Sequence, residues 1–272
     1  MKEYSFGLRG HDIAGNFTEM CIKAKEHNID TLQFALAKTC NDINFDTVGY
    51  DKNISLKIKE ELQKYKLHVA VLGCYINPVN KDEETVKIQL KRFKNFLNYA
   101  KDFNADVIGT ETGSAGTIEE THSNENYLKF LNNMTPVIEK AEELDVTVAI
   151  EPVWCYTIHS VETMKKMLDD VKSENLSVIL DVSNMLNNEN YETQNSIIEK
   201  AFYHLGDKIS TIHLKDFDIV NGNKVFAPAG KGLLNIELLF KNIESMKKAP
   251  QIILDELPLP LYKETVELIT EY

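Results

Sequence analysis

The sequence predicts an α/β protein whose eight strands and eight helices alternate and close into a (β/α)8 barrel. Short apolar runs rich in β-branched residues recur along the chain, and amphipathic stretches of helical length separate them. Four successive runs in the C-terminal half end at a metal-capable side chain, at positions 151, 181, 213 and 256. They are 30, 32 and 43 residues apart, and one strand–helix–strand unit is about 30 residues long. The pattern continues without a linker, which indicates one domain over residues 1–272.

The N-terminal half supplies the first four strands and helices. Asn16 is followed by Glu19 at the spacing of a capping box, which predicts a helix start. Pro136 predicts a kink or break in a long helix. The stretch Ala35–Asn53 is polar and mixed, and predicts no regular element. The predicted strands are Tyr4–Arg9, Ile29–Phe34, His68–Cys74 and Asp106–Gly109, and the predicted helices are Asn16–His27, Ile54–Tyr65, Lys81–Phe103 and Asn124–Leu144.

The C-terminal half repeats the alternation. Pro152 ends the fifth strand, because proline cannot donate to a strand ladder. A long loop, Phe217–Gly232, is predicted after the seventh strand from its glycines and Pro228. The predicted strands are Val146–Pro152, Ser177–Asp181, Ile209–His213 and Gln251–Asp255, and the predicted helices are Val161–Val171, Ile197–Leu205, Asn235–Lys248 and Leu261–Thr270.

Composition limits the classes of function. A chain of 272 residues with 43% hydrophobic content is large enough for one full core. The net charge of −12 disfavours nonspecific binding to nucleic acid. No apolar run reaches the roughly 18 residues of a membrane helix, and the N-terminus does not resemble a signal peptide. The four cysteines lack paired spacing, which indicates reduced thiols and a cytoplasmic protein. A homodimer is left open.

Four strand ends predict a metal site. In a barrel of this kind the working residues lie at the C-terminal ends of the strands. Glu151, Asp181, His213 and Glu256 are therefore expected to converge on one divalent ion. Three carboxylates and an imidazole suit Mn²⁺, Mg²⁺, Co²⁺ or Zn²⁺, and without a cation the carboxylates would repel one another. Any one of the four, taken alone, is as well explained as a loop cap or a packed core residue.

Further polar residues lie at or just after the strand ends and are candidates for substrate binding. Trp154 is also explained by packing, and the turn Gly230–Gly232 either holds a phosphate through its backbone N–H groups or is a plain turn. The candidates are Arg9, His11, Gln33, Glu111, Trp154, His159, Asn184, Lys215 and Asp216.

Several motifs occur in an order that resembles a known family. They are Ile150–Pro152 (IEP), Leu180–Asn184 (LDVSN), Ile212–Asp216 (IHLKD), the glycine turn Gly230–Gly232 (GKG) and Ile253–Glu256 (ILDE). The chain resembles the xylose isomerase-like TIM barrels, and among them the sugar phosphate isomerase/epimerase family. The resemblance implies that the four predicted ligands hold one metal and that Glu151 and Glu256 exchange protons with the substrate. Many ketose epimerases have a histidine where this chain has Asn184.

The expected chemistry is proton abstraction beside a metal-bound carbonyl of a sugar, sugar phosphate or related polyol, through an enediolate. Two opposed glutamates would epimerise a carbon, whereas one base moving the proton between neighbouring carbons would isomerise the substrate. An inosose-type dehydratase is an alternative with a similar metal site. A type IV-like metal-dependent endonuclease is a weaker one, since it needs more histidine ligands and a basic groove. A sugar-binding barrel without chemistry is the third.

Overall fold

The computed structural model describes residues 4–272, and its central feature is a closed barrel of eight parallel strands. The predicted (β/α)8 fold is confirmed. The barrel strands are β1 (Phe6–Arg9), β2 (Thr31–Phe34), β3 (His68–Gly73), β4 (Val107–Thr110), β5 (Val148–Ile150), β6 (Leu176–Leu180), β7 (Ile209–Leu214) and β10 (Gln251–Leu254). The barrel closes because β1 pairs with β2 on one side and with β10 on the other.

Helices surround the barrel. The predicted capping box is present: the Asn16 side chain accepts from the Glu19 N–H, and the Glu19 carboxylate accepts from the Asn16 N–H, both at 3.0 Å. Pro136 lies inside one unbroken helix, so the prediction of a break is wrong. Buried neighbours such as Met134 and Ile138 hold both sides of the proline in the core, and their packing offsets its cost of about 3 kcal/mol. The helices are α1 (Phe17–Glu26), α2 (Leu36–Thr39), α3 (Phe45–Val48), α4 (Lys52–Lys64), α5 (Glu83–Phe103), α6 (Ile118–Thr121), α7 (Asn124–Leu144), α8 (Val161–Val171), α9 (Val182–Met185), α10 (Gln194–Leu205), α11 (Ile236–Ser245) and α12 (Tyr262–Ile269).

The barrel interior is filled by alternate residues of the strands. Val71, Val107, Ala149 and Ile179 form a buried cluster of their own, separate from the core between strands and helices. Gly109 lies against Val71 and Ile179 so closely that a side chain there would collide with both. Because successive residues of a strand point to opposite sides, the residues two positions after these also point inward. Those positions lie at the C-terminal mouth of the barrel.

The segment after β7 is not an irregular loop. It forms an antiparallel hairpin of β8 (Asp216–Val220) and β9 (Asn223–Ala227). Asn221 and Gly222 join the strands with φ of 52° and 77°. Asn-Gly with both residues at positive φ is the preferred two-residue hairpin turn, so the sequence contained the signal for this hairpin. The prediction of a loop over Phe217–Gly232 is corrected accordingly.

The carboxylate of Asp216 holds the two ends of this insertion together. It accepts backbone N–H bonds from Phe217, Gly230, Gly232 and Leu234 at 2.8 to 3.2 Å. Asp216 is only 1% exposed and both of its oxygens accept backbone N–H bonds, so the structure gives it a structural role; its predicted role in substrate binding stays a prediction. The N–H groups of Gly230 and Gly232 point to Asp216, which leaves them unavailable for a phosphate.

Burial sets the chemical state of most of the cysteines. All four cysteines are free, and burial raises the pKa of the Cys21, Cys40 and Cys74 thiols to about 12. At that pKa the thiols stay protonated and unreactive near neutral pH. Within residues 4–272 no helix has the length and hydrophobicity that crossing a membrane requires.

Replacing the anchoring carboxylate should destabilise the protein. Asp216→Ala leaves buried backbone N–H groups without an acceptor, and we expect it to lower the free energy of unfolding by about 3 kcal/mol. Urea denaturation followed by circular dichroism measures the loss. The matched control is Asp218→Ala, an exposed aspartate in the same hairpin, which should change stability little. Equal stabilities of the two variants would contradict the anchoring role.

Candidate metal and active site

Three of the four predicted ligands come together at the mouth of the barrel. Glu151 and Asp181 follow the last residues of β5 and β6, and His213 lies in β7. Each offers one ligand atom, and the three atoms lie within 4.8 Å of one another. The Glu151 Oε2 and His213 Nδ1 atoms are 3.2 Å apart. Two carboxylates and an imidazole with ligand atoms grouped this closely could hold one divalent cation.

The cluster also contains buried polar atoms without partners. His213 Nε2 and Asp181 Oδ2 are buried and have no hydrogen bond among the described residues. The other Asp181 oxygen accepts from the Asn184 N–H at 3.0 Å, and the Asn184 side chain donates to Glu151 Oε1 at 2.7 Å. Buried polar atoms are normally paired, so atoms without a hydrogen bond in this acidic cluster are suited to bind a divalent cation. Asn184 holds two of the ligands in place.

The fourth predicted ligand lies outside the cluster. Glu256 has φ of 51°, and its side chain is 41% exposed at the rim. Asp255 takes the inward position instead, because Ile253 pairs with His213 and lies inside the barrel against Gly7. The expectation of four converging ligands is corrected to three. Alternation along the strand was the signal that favoured Asp255 over Glu256.

Asp255 is bound by two cations. Its two oxygens lie 2.7 Å from Arg9 Nη1 and 2.6 Å from Lys215 Nζ. Arg9 is itself held by a two-pronged ion pair with Asp12, at 2.7 and 3.0 Å. Burial alone would raise the pKa of Asp255, but Lys215, His213 and Arg9 outweigh it and lower that pKa to about 2. Asp255 is therefore a fully ionised anchor for the two cations.

Lys215 connects this anchor to the metal cluster. Its Nζ lies 3.5 Å from Asp181 Oδ2 and 3.6 Å from Glu256 Oε1. These distances are too long for good hydrogen bonds, but they are short enough for the ammonium group to attract both carboxylates. Burial lowers the pKa of Lys215, yet Asp181 and Asp255 raise it above its ordinary value overall. Burial raises the pKa of Asp181 to about 6, partly opposed by Lys215. Lys215 thus supplies a permanent positive charge beside the cluster.

A cavity of about 400 Å³ opens above these residues. Five of the predicted substrate-binding residues line it. They are Arg9, Glu111, Trp154, Asn184 and Lys215. The cavity is also lined by four residues that were not predicted, Lys38, Tyr75, Phe226 and Asp255. The first three lie in segments that follow a strand, and the sequence does not define the path of those segments.

Three other predicted residues lie elsewhere. Gln33 is buried and donates to the Tyr75 hydroxyl, so it supports the wall of the cavity and does not line it. His11 is not among the lining residues, and burial together with Lys38 and Arg9 lowers its pKa to about 4. His159 lines a second cavity next to the first. None of the three lines the first cavity, and their predicted role in substrate binding stays a prediction.

Glu111 is the second carboxyl group of the cavity with a shifted pKa. Burial and then the charge of Glu151 raise the pKa of Glu111 to about 7. A carboxyl group with that pKa exists in both protonation states near neutral pH. Such a group is suited to general acid–base chemistry.

Fold and site together define a (β/α)8 barrel with a buried, metal-competent cluster of two acids and an imidazole at its C-terminal mouth. The model of the family named xylose isomerase-like TIM barrel matches residues 21–272. The chain belongs to that family, and the predicted resemblance is confirmed at this level. A search of curated proteins found no match.

Solved structures with the same fold have low sequence identity to this chain. A D-tagatose 3-epimerase-like protein has a TM-score of 0.75 at 16% identity, over 98% of each chain. The 3-keto-D-glucoside 4-epimerase YcjR from E. coli has a TM-score of 0.74 at 13% identity, over 99% of this chain and 100% of its own. The IOLI protein with a bound zinc atom has a TM-score of 0.74 at 16% identity, over 98% and 99%. These similarities establish the fold.

The raised pKa of Glu111 predicts a pH-dependent stability. An ordinary glutamate in the unfolded chain has a pKa of about 4.3, so between about pH 4.3 and 7 the folded protein binds more protons than the unfolded one. The free energy of unfolding should therefore fall as pH rises through that window. Glu111→Gln removes the contribution of Glu111 and leaves that of Asp181, whose pKa is also raised, so at pH 8 the metal-free variant should be more stable than the wild type by about 1–3 kcal/mol.

Chemical denaturation in EDTA at a series of pH values between these limits measures the difference. Glu119→Gln, at an exposed neighbouring position, is the control and should follow the wild type. If the Glu111→Gln and wild-type curves run parallel across the window, the Glu111 carboxyl group is not perturbed in the way described.

Proposed function

We propose that the protein is a divalent-metal-dependent isomerase or epimerase of a sugar or related polyol. The observation that supports this most directly is the convergence of Glu151, Asp181 and His213, with unpaired buried atoms, on the floor of the cavity. Membership in the xylose isomerase-like family supports the same class of chemistry.

Glu151, Asp181 and His213 would hold the ion. When bound, it would act as a Lewis acid that polarises a substrate carbonyl and stabilises the negative charge that develops on its oxygen. His213 must be neutral to bind a metal; burial favours that state, but Glu151 raises the pKa of His213 overall. We therefore expect metal binding to release a proton and to weaken as the pH falls.

Glu151 is the proposed base. Asn184 and His213 fix its two oxygens at 2.7 and 3.2 Å, so its orientation toward the cavity is set before substrate binds. Two further carboxyl groups are available for the second proton transfer. Glu256 is at the rim, and Glu111 is buried in the wall with a pKa near neutrality. Asp255 is not available, because Arg9 and Lys215 occupy its oxygens.

Three cations line the cavity, and two of them are already paired with a carboxylate. Arg9 and Lys215 are both committed to Asp255, the glycine turn is committed to Asp216, and Lys38 lies over the Tyr75 ring. With one cation left, the cavity suits the hydroxyl and carbonyl groups of a neutral sugar better than a phosphate. Isomerisation and epimerisation share the first step, and the number of active carboxyl groups decides between them.

Manganese should stabilise the protein through the three-residue cluster. A ligand present at about 100 times its Kd adds about 2.7 kcal/mol to the free energy of unfolding, so a clear rise in melting temperature is expected with Mn²⁺. Asp181→Asn keeps the oxygen that accepts from the Asn184 N–H but removes the ligand charge, and it should abolish the rise. The exposed Asp218→Asn is the control. A rise that survives in Asp181→Asn would place the ion elsewhere.

Deuterium exchange tests the proton transfer itself. In heavy water with Mn²⁺, a substrate ketose should incorporate deuterium at the carbon next to its carbonyl, and Glu151→Gln should lose at least about 100-fold in rate. Comparison of Glu111→Gln with Glu256→Gln identifies the second carboxyl group. The variant that lacks the carboxyl group required for inversion should still exchange deuterium into the substrate but should form no epimer. Absence of exchange across a panel of ketoses and inososes would refute the proposed chemistry.

A further inference from the structure

A second cavity adjoins the first and is larger. Its volume is about 780 Å³, compared with about 400 Å³ for the cavity over the metal cluster. The two cavities share Trp154 and Phe226 as a common wall. Volumes of about 300–1,000 Å³ are typical of small-molecule sites. The proposed chemistry uses only the first cavity, which leaves the second without a role.

The shared wall consists of two exposed aromatic side chains. Trp154 is 36% exposed and Phe226 is 47% exposed, although both are large and apolar. The backbone N–H of Trp154 donates to the Asn184 carbonyl at 2.8 Å, and the centroid of the Phe226 ring lies 4.2 Å from Lys215 Nζ. Exposed aromatic faces at the junction of two cavities are suited to contact the apolar face of a sugar ring.

The far wall presents amide groups. The side-chain oxygen of Asn187 accepts from the N–H groups of Glu189 and Asn190, and that of Asn188 accepts from the Lys224 N–H. The NH₂ groups of Asn187 and Asn188 have no hydrogen bond within the described part of the chain. These NH₂ groups are therefore oriented by their own oxygens and can each donate to a ligand oxygen. Paired carboxamide donors fit the hydroxyl groups of a carbohydrate.

The second cavity has no cationic cluster. Its charged lining residues are Glu189 and Lys224, one of each sign. The Lys224 ammonium donates to the carbonyl groups of Ser183 and Leu186, so it is already used. His122 and His159 stack at 3.7 Å, and burial lowers the pKa of both, which favours their neutral forms. This lining disfavours a phosphate or a nucleotide and favours a neutral ligand.

We infer that the second cavity binds a second, neutral sugar ring, so that the substrate is a two-ring glycoside whose reacting ring lies over the metal cluster. The inference rests on the proposed function, because that function places the reacting ring in the first cavity. It adds the substrate class: a glycoside, and not a free monosaccharide or a sugar phosphate.

The test is calorimetric binding to the Mn²⁺-loaded protein. The probes are D-glucose, D-galactose and D-fructose, a disaccharide panel of cellobiose, maltose, lactose and sucrose, and the charged compounds glucose 6-phosphate and UDP-glucose. We expect at least one disaccharide to bind about tenfold more tightly than either of its component monosaccharides, because the second ring adds contacts. The charged compounds should bind no more tightly than the monosaccharides.

Two variants locate the preference. Asn188→Asp keeps the oxygen that accepts from the Lys224 N–H and replaces the free NH₂ group by an acceptor, and Ile118→Trp fills the second cavity from an exposed position on α6. Both should remove the tenfold preference for the disaccharide. Asn132→Asp, exposed on α7, adds the same charge at a distance and should keep the preference.

Disaccharides that bind no more tightly than monosaccharides, or a preference that survives in both variants, would overturn the inference. So would tighter binding of UDP-glucose or glucose 6-phosphate, or no binding of any probe. A disaccharide that binds through Asn188 but exchanges no deuterium would instead leave the subsite standing and refute the proposed proton transfer.

Discussion

The two-residue alternation of side chains along parallel strands is the constraint on which this site depends. Val71, Val107, Ala149 and Ile179 fill the interior of the barrel. Two residues beyond Ala149, Ile179 and Ile253, the same alternation directs Glu151, Asp181 and Asp255 into the mouth. The site is therefore assembled from strands that are far apart in sequence. A shift of one residue in any strand would turn its functional side chain into the helical layer.

The charge balance of the mouth follows from this crowding. Four carboxyl groups, those of Glu111, Glu151, Asp181 and Asp255, share one small volume with two cations. Arg9 and Lys215 satisfy Asp255 completely and lower its pKa, whereas burial and mutual repulsion raise the pKa of Glu111 and Asp181. Asp255 is therefore fully neutralised by cations, whereas the other three carboxyl groups of the mouth are not. A divalent ion bound among them would supply the positive charge that they lack.

Much of the fold was predictable because its signals are local. Apolar runs predicted all eight barrel strands to within about two residues, and strand ends predicted Glu151, Asp181 and His213 as a converging group. The choice of Glu256 failed because the motif contains two adjacent acids, Asp255 and Glu256. Which of the two points into the barrel is decided by the pairing of β10 with β7, and the motif alone does not show it. The hairpin was missed although Asn221–Gly222 carries its turn signal. The second cavity could not be predicted, because it forms where the loops after β5 and β6 pack near β9. These segments are distant in sequence, and no local sequence pattern indicates that they lie together.

The clamp formed by Asp216 has a consequence for how the family diversifies. One carboxylate joins the start and the end of the insertion, at Phe217 and at Gly230. The chain between these points can lengthen, shorten or change sequence while the barrel on either side keeps its geometry. Since that stretch carries Lys224 and Phe226 into the second cavity, exchange of a single hairpin could change the lining of that cavity and leave the cluster of Glu151, Asp181 and His213 as it is. Substrate range and chemical machinery can then evolve as separate modules of one chain.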